Sequence, residues 1–442
     1  MLDQIVRGPL MIPSDDGRVA YFSDGALAAN SHGVIQFAGD WNELSNQLPG
    51  DHAPVRPSDG TILPPLLDIH THIPQHPIRG RFAEGVPTDA PGGRLLNALK
   101  KNVFPAEARC GNNEYTRKVV ADFLTDTLAH GVVGGAAYMT VSAPATEIAL
   151  EMLPPTWSVG LVLMNQNTPD NLKTDEPNLE SDITRLAHRF GKRLIVTDRF
   201  AVAVNTPLRK RASLLAGKFG LRTQTHLNEQ TAEKQFVERE LYPDSDSYTS
   251  VYRDDGLLDH HCICAHCIHQ TAAEWPIITG TNTVIAHCPT SNLLLGSGLM
   301  PLDIVMEKKI PYALGTDVGA SPTVSMLAEM GRFLQVHKGK SAHATPTEAL
   351  FRSTLAPAKI LGLDMGRLAI GKPMSFIEVR VTPSPGTPGE GRGGGLPSQS
   401  SVLSTQSSFS SDPILSLMPA NLDDPEMSIR RVTLGGRTVF HA

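Results

Sequence analysis

The sequence predicts an α/β fold: a (β/α)8 TIM-like barrel with a small β-sandwich domain formed from both chain termini. Three observations lead there. Between about residues 61 and 370, eight short apolar segments alternate with stretches of helical periodicity, the pattern of parallel strands joined by crossover helices. Residues 1–60 read instead as short strands separated by turns, as in Gly33-Val34-Ile35-Gln36-Phe37-Ala38-Gly39-Asp40. A strand pattern returns after residue 371, so both ends of the chain are available to one small β-domain.

The candidate barrel strands are Ile62–His72, Gly131–Met139, Trp157–Asn165, Arg193–Phe200, Arg222–Leu227, His261–His266, Thr283–Cys288 and Pro311–Thr316. Between them, Asn113–His130 repeats Val119, Val120, Phe123, Leu124 and Leu128 at helical spacing. Ser181–Phe190, Pro207–Phe219 and Ser325–Val336 behave in the same way, and a further helix is expected around Thr345–Leu361. The connection over residues 73–111 is long and rich in Gly and Pro, as a lid, a binding loop or a surface insertion would be. Lys372–Arg380 reads as a strand and Ile429–Phe440 as a closing hairpin. Residues 382–411 are dominated by Pro, Gly, Ser and Thr, bury little apolar surface, and are expected to form a disordered insertion. The expected units are therefore 1–60 and 371–442 as the two parts of the β-domain, with the barrel over 61–370.

Bulk properties narrow the function. The 442 residues suit one large barrel plus an appendage, and 40% hydrophobic content supports a sizeable core. A formal charge of −6 with no long basic run argues against nucleic acid as a partner. No run of ~18 apolar residues suggests a membrane span, and Met1–Arg7 lacks the apolar stretch of a signal peptide. Five cysteines, an odd number, point to free thiols and a cytoplasmic setting.

The chemistry begins at His70 and His72. In an extended chain residues i and i+2 share a face, so both imidazoles can meet one metal ion from a single strand end. His226, His266 and Asp317 each close a further predicted strand, and catalytic groups of barrel enzymes gather at such ends. Imidazoles with a carboxylate suit a divalent ion such as Zn²⁺ or Fe²⁺. Glu229, three residues past His226, can swing over that ion and move protons between water and substrate. Taken alone it would read as a helix-start glutamate. His287, at the end of the seventh strand, is expected to be structural or peripheral. Cys262, Cys264 and Cys267 read as buried core rather than a zinc cluster.

These segments resemble the amidohydrolase superfamily and, within it, the guanine deaminases. The likeness runs from about residue 60 to 372 through Asp68–Gln75, Phe104–Glu107, Arg199-Phe200, Thr225–Glu229, Leu241–Pro243, Tyr248–Tyr252, Ala265–Cys267, Cys288–Leu293, Gly296–Gly298 and Gly315–Gly319. It implies one divalent metal, Zn²⁺ before Fe²⁺, held by His70, His72, His226 and Asp317, with His266 beside it. Two-metal relatives carry a lysine on the fourth strand, where this chain has Leu194–Phe200 without one. The implied reaction is guanine plus water to xanthine plus ammonia, with Glu229 as proton shuttle, Asp317 as proton acceptor, and Gln75, Arg199 and Phe200 holding the purine. A homodimer is also implied. Three departures touch the details: Gly131–Tyr138 is not Thr-rich, the lid has Arg94–Leu99 in place of Trp-Leu, and Met374-Ser375 replaces an Ala-Asp pair. Alternative substrates are a pterin, 8-oxoguanine, a triazine or an adenosine-like ring, and the alternative class is a catalytically silent barrel scaffold.

Overall fold

The computed structural model describes residues 2–380, 401–403 and 412–442. Five strands open the chain: β1 (Gln4–Pro13), β2 (Val19–Ala29), β3 (Ile35–Asp40), β4 (Val55–Pro57) and β5 (Thr61–Leu63). The barrel strands follow as β6 (Leu66–His72), β7 (Val132–Tyr138), β8 (Trp157–Leu163), β9 (Leu194–Asp198), β10 (Arg222–Leu227), β11 (Cys262–His266), β12 (Val284–His287) and β13 (Tyr312–Leu314). The chain ends with β14 (Phe376–Val379), β15 (Ser401–Leu403), β16 (Ile429–Leu434) and β17 (Arg437–His441).

The middle eight strands pair in parallel and in chain order from β6 to β13, as the alternation of apolar runs and helices predicts. The ends of this sheet meet where the Asp317 N–H donates to the His70 carbonyl oxygen at 2.8 Å. Gly315 permits that approach: a Cβ there would lie 2.8 Å from the Cβ and backbone nitrogen of His70. Strands from both termini form a separate nine-stranded sheet along β15-β2-β1-β5-β14-β16-β17, with β3 on β2 and β4 on β1. β14 is locked in by a buried charge, since Glu378 accepts from Arg56 Nη2 at 2.5 Å and from the Asp59 N–H at 2.6 Å.

Two expected elements are divided. Ile62–His72 is not one strand, because Pro64 and Pro65 separate β5 of the terminal sheet from β6 of the barrel. Proline offers no N–H to a ladder, so a pair of them ends one strand and lets the next leave in a new direction. Thr345–Leu361 is two helices, Pro346–Ser353 and Leu355–Leu361, meeting at Thr354 with φ −128° and ψ −81°. The ring of Pro357 would clash with the carbonyl of Ser353 in a continuous helix. Of residues 382–411, expected as a disordered insertion, Ser401–Leu403 pair antiparallel with Val19–Tyr21 of β2. The rest of that segment lies outside the described residues.

The long connection over 73–111 contains short helical turns, at Ile73–Ile78, Arg94–Ala98, Leu99–Val103 and Phe104–Ala108. It forms a wall over the C-terminal ends of the strands. Among the described residues no helix is long and apolar enough to cross a membrane.

Candidate metal centre and active-site cleft

His70 and His72 end β6, His226 lies one residue from the end of β10, and Asp317 follows β13 by three residues. One ligand atom from each of the four lies within 4.8 Å of the others. Asp317 Oδ1 is 3.1 Å from His72 Nε2 and 3.4 Å from His70 Nε2, while the Nε2 atoms of His72 and His226 stand 3.3 Å apart. His226 Nδ1 donates to the Arg199 carbonyl oxygen at 2.7 Å, which leaves its Nε2 bare in the neutral ring. Burial pushes His70 down to about 4 and lowers His72 and His226 as well. Burial opposes charge on Asp317 too, but His70 and His72 hold it well below the ordinary carboxylate range.

Neutral imidazoles with converging lone pairs repel one another unless a cation sits between them. His70 Nε2 is buried without a hydrogen-bond partner, which is the condition of a nitrogen reserved for a metal. The donor set therefore suits a divalent metal ion. His266, on the neighbouring strand end, bonds through Nδ1 to Asn292 Oδ1 at 2.8 Å and turns a partnerless Nε2 toward Glu229 Oε2, 3.5 Å away. His266 and Asp317 both hold positive φ, +72° and +52°, a strained conformation for non-glycine residues that is tolerated at functional sites.

Glu229 is 2% exposed, and burial pushes its carboxyl up to about 7. Its Oε1 accepts from the Ser297 hydroxyl at 2.9 Å. Glu233 Oε2 accepts from the backbone N–H groups of Glu229 (2.9 Å) and Gln230 (3.0 Å), fixing the turn past β10. The helix-start reading thus describes Glu233 rather than Glu229.

Beside these groups lies a narrow, partly enclosed cleft. His72, Gln75, Arg199, Phe200, His226, Glu229 and Asp317 line it, and Phe82, Leu95 and Leu99 of the 73–111 connection complete it with Leu295. That connection is a lid, not a remote insertion. Gln75 and Arg199 converge on Glu107: its Oε1 accepts from Gln75 Nε2 at 2.9 Å, and both its oxygens accept from Arg199 Nη1 at 2.6 and 2.8 Å. Gln75 Oε1 is left without a partner.

Sequence reasoning missed three contributors. Glu107 was visible only inside a shared segment. Asp68, pushed up to about 7 by burial, accepts from the N–H groups of His70 (3.1 Å) and Thr316 (3.0 Å), so it ties the first and last strand ends together. Leu295 carries no polar signal at all. His287 does not line this cleft; its Nε2 faces His337 Nε2 at 3.0 Å beside Phe333. All five cysteines are free and buried, and Cys262, Cys264 and Cys267 belong to the main apolar core.

A nearly closed parallel barrel with a His-His-His-Asp cluster at the strand ends is the architecture of a metal-dependent hydrolase. A model of the "Amidohydrolase family" matches residues 61–439, and the chain belongs to that family. It is similar to guanine deaminase of Escherichia coli K12, 32% identical over 384 residues that cover 84% of this chain and 85% of the relative. A probable guanine deaminase of Deinococcus radiodurans is 31% identical, over 81% of this chain and 83% of the relative. The solved structure of the Escherichia coli enzyme superposes over the whole of both chains with a TM-score of 0.83 at 29% identity. A guanine deaminase from C. acetobutylicum with bound guanine shares the fold, with a TM-score of 0.82 at 23% identity over 99% of this chain and all of that one.

Proposed function

We propose that this protein hydrolyses guanine to xanthine and ammonia, using one zinc ion held by His70, His72, His226 and Asp317. Iron(II) is the alternative metal. The observation that carries the reading is a single cleft in which three of the four clustered donors, His72, His226 and Asp317, meet a buried carboxyl and a Gln–Arg pair. A divalent ion bound there supplies Lewis acidity, making water a competent nucleophile at neutral pH.

The side chains do the rest. Gln75 Oε1, a free acceptor, takes a purine N–H, while the fixed fork of Arg199 donates to the ring carbonyl with the Phe200 backbone alongside. Adenine, which lacks that carbonyl, offers no acceptor to the N–H groups of Arg199 that Glu107 does not engage. Glu229, with a carboxyl pushed up to about 7, donates a proton to the ring nitrogen beside the amino-bearing carbon. Asp317 receives the proton lost by the attacking water, and His266 orients that water against the same carbon. Water adds oxygen to the carbon; the proton held by Asp317 passes to the amine as the C–N bond breaks, releasing ammonia, and the new hydroxyl returns a proton to Glu229 as it becomes the ring carbonyl.

An ammonia-release screen over guanine, 8-oxoguanine, adenine, pterins and triazines, on metal-quantified protein, tests the reading. Guanine is expected to be preferred; a stronger response to another ring would replace it as substrate, and no response to any would favour a silent scaffold. Glu107→Ala is expected to cost about 3–5 kcal/mol of stability, because it strands Arg199 as a buried unpaired charge. Urea unfolding measures this, and KM for guanine is expected to rise in parallel. The assembly is read as a homodimer in the cytoplasm, with light scattering as the check on subunit number.

A further inference from the structure

Glu229 stands at the end of a hydrogen-bond chain whose direction is fixed. The backbone N–H of Leu95, on the lid, donates to Gln230 Oε1 at 3.2 Å. A backbone N–H can only donate, so that atom is the amide's oxygen and the other end is its NH2. The NH2 in turn donates to the Leu295 carbonyl oxygen and to Ser297 Oγ, each at 3.3 Å. A carbonyl can only accept, which requires the same orientation independently. With one lone pair of Ser297 engaged, its single proton goes to Glu229 Oε1 at 2.9 Å. All four residues are buried.

We propose that Ser297 is a positioning residue that assigns the transferable proton of Glu229 to Oε2, and that Leu95 and Gln230 make this assignment depend on the lid. The inference rests on Glu229 being the proton donor of the reaction above. A carboxylic acid has one hydroxyl and one carbonyl oxygen. An oxygen that already accepts from Ser297 is the carbonyl one, so the proton sits on Oε2, the atom that faces His266 at 3.5 Å. When the lid lifts, Leu95 leaves the amide, Ser297 is free to turn, and the proton position is no longer enforced. Glu233 holds the Glu229 backbone separately, so loss of Ser297 acts on the side chain rather than on the turn.

The test is a double-mutant cycle on guanine turnover with the metal-loaded enzyme. Ser297→Ala is expected to lower kcat about tenfold and to leave KM within about twofold, as loss of one hydrogen bond felt in the transition state would. Ser297→Thr, which keeps the hydroxyl, recovers most of that loss. In the Glu229→Gln background Ser297→Ala adds nothing, because the proton it directs is gone. A readout independent of turnover is hydrogen exchange at the Leu95 amide, which accelerates in Gln230→Leu. Wild-type kcat in Ser297→Ala, or the same loss in both backgrounds, overturns the inference while Glu229 keeps its role. Wild-type kcat in Glu229→Gln removes the proton donor itself, and the inference falls with it.

Discussion

Glu229→Gln lowers kcat for guanine by about 10²–10⁴-fold, the usual contribution of a positioned proton donor. Glutamine matches the carboxyl in shape and still offers Oε1 to the Ser297 hydroxyl, so the cleft stays built. What it lacks is an acidic proton. The native carboxyl has one to give near neutrality, because burial pushes Glu229 up to about 7. Substrate affinity and metal content are expected to stay near wild type, since neither depends on that proton. Ammonia release under saturating guanine, with metal analysis of the same sample, reads all three quantities. Undiminished turnover would remove Glu229 from the chemistry.

Loss of the metal has the other large effect. Chelation is expected to abolish ammonia release and lower Tm, and readdition of Zn²⁺ restores both. Binding to the folded state alone stabilises by about 4 kcal/mol when free metal is 1,000 times Kd. Asp317→Ala leaves three neutral imidazoles without their counter-charge, so bound metal is expected to fall from about one per chain to a trace. Elemental analysis of purified variants decides it. A second metal per chain is not expected, because strand β9 presents Thr197 and Asp198 where a bridging lysine would be needed, and Asp198 is paired with Arg209 at 2.7 Å. Two equivalents in the wild type would refute the one-metal reading.

Much of this was legible in the sequence because parallel barrel strands are buried on both faces and read as apolar runs. His226, His266 and Asp317 are visible for the same reason, as polar residues interrupting or closing such runs. Boundaries failed where a local rule cut across the pattern, at Pro64-Pro65 and at Pro357. Glu107, Asp68 and Ser297 gave no signal of their own. Their meaning lies in what they touch across 32, 248 and 68 residues of chain respectively, and neither periodicity nor spacing records such contacts.

The terminal sheet imposes an order of events on synthesis. β5 pairs with β14 at Ile62 and Glu378, so one edge of β5 has no partner until the ribosome has added more than 300 residues. At bacterial to eukaryotic elongation rates that wait is roughly 15–60 s. An open strand edge is a template for pairing with other nascent chains. The barrel can close in that interval, since all its strands precede residue 315, and β1–β4 can pair among themselves, whereas the outer edge of β5 must wait. Arg56 is equally unpaired until Glu378 emerges, and its charge beside the open edge discourages wrong partners in the meantime. Glu378 is thus a late-made fastener, joining the earliest part of the chain to a strand made only after the barrel strands.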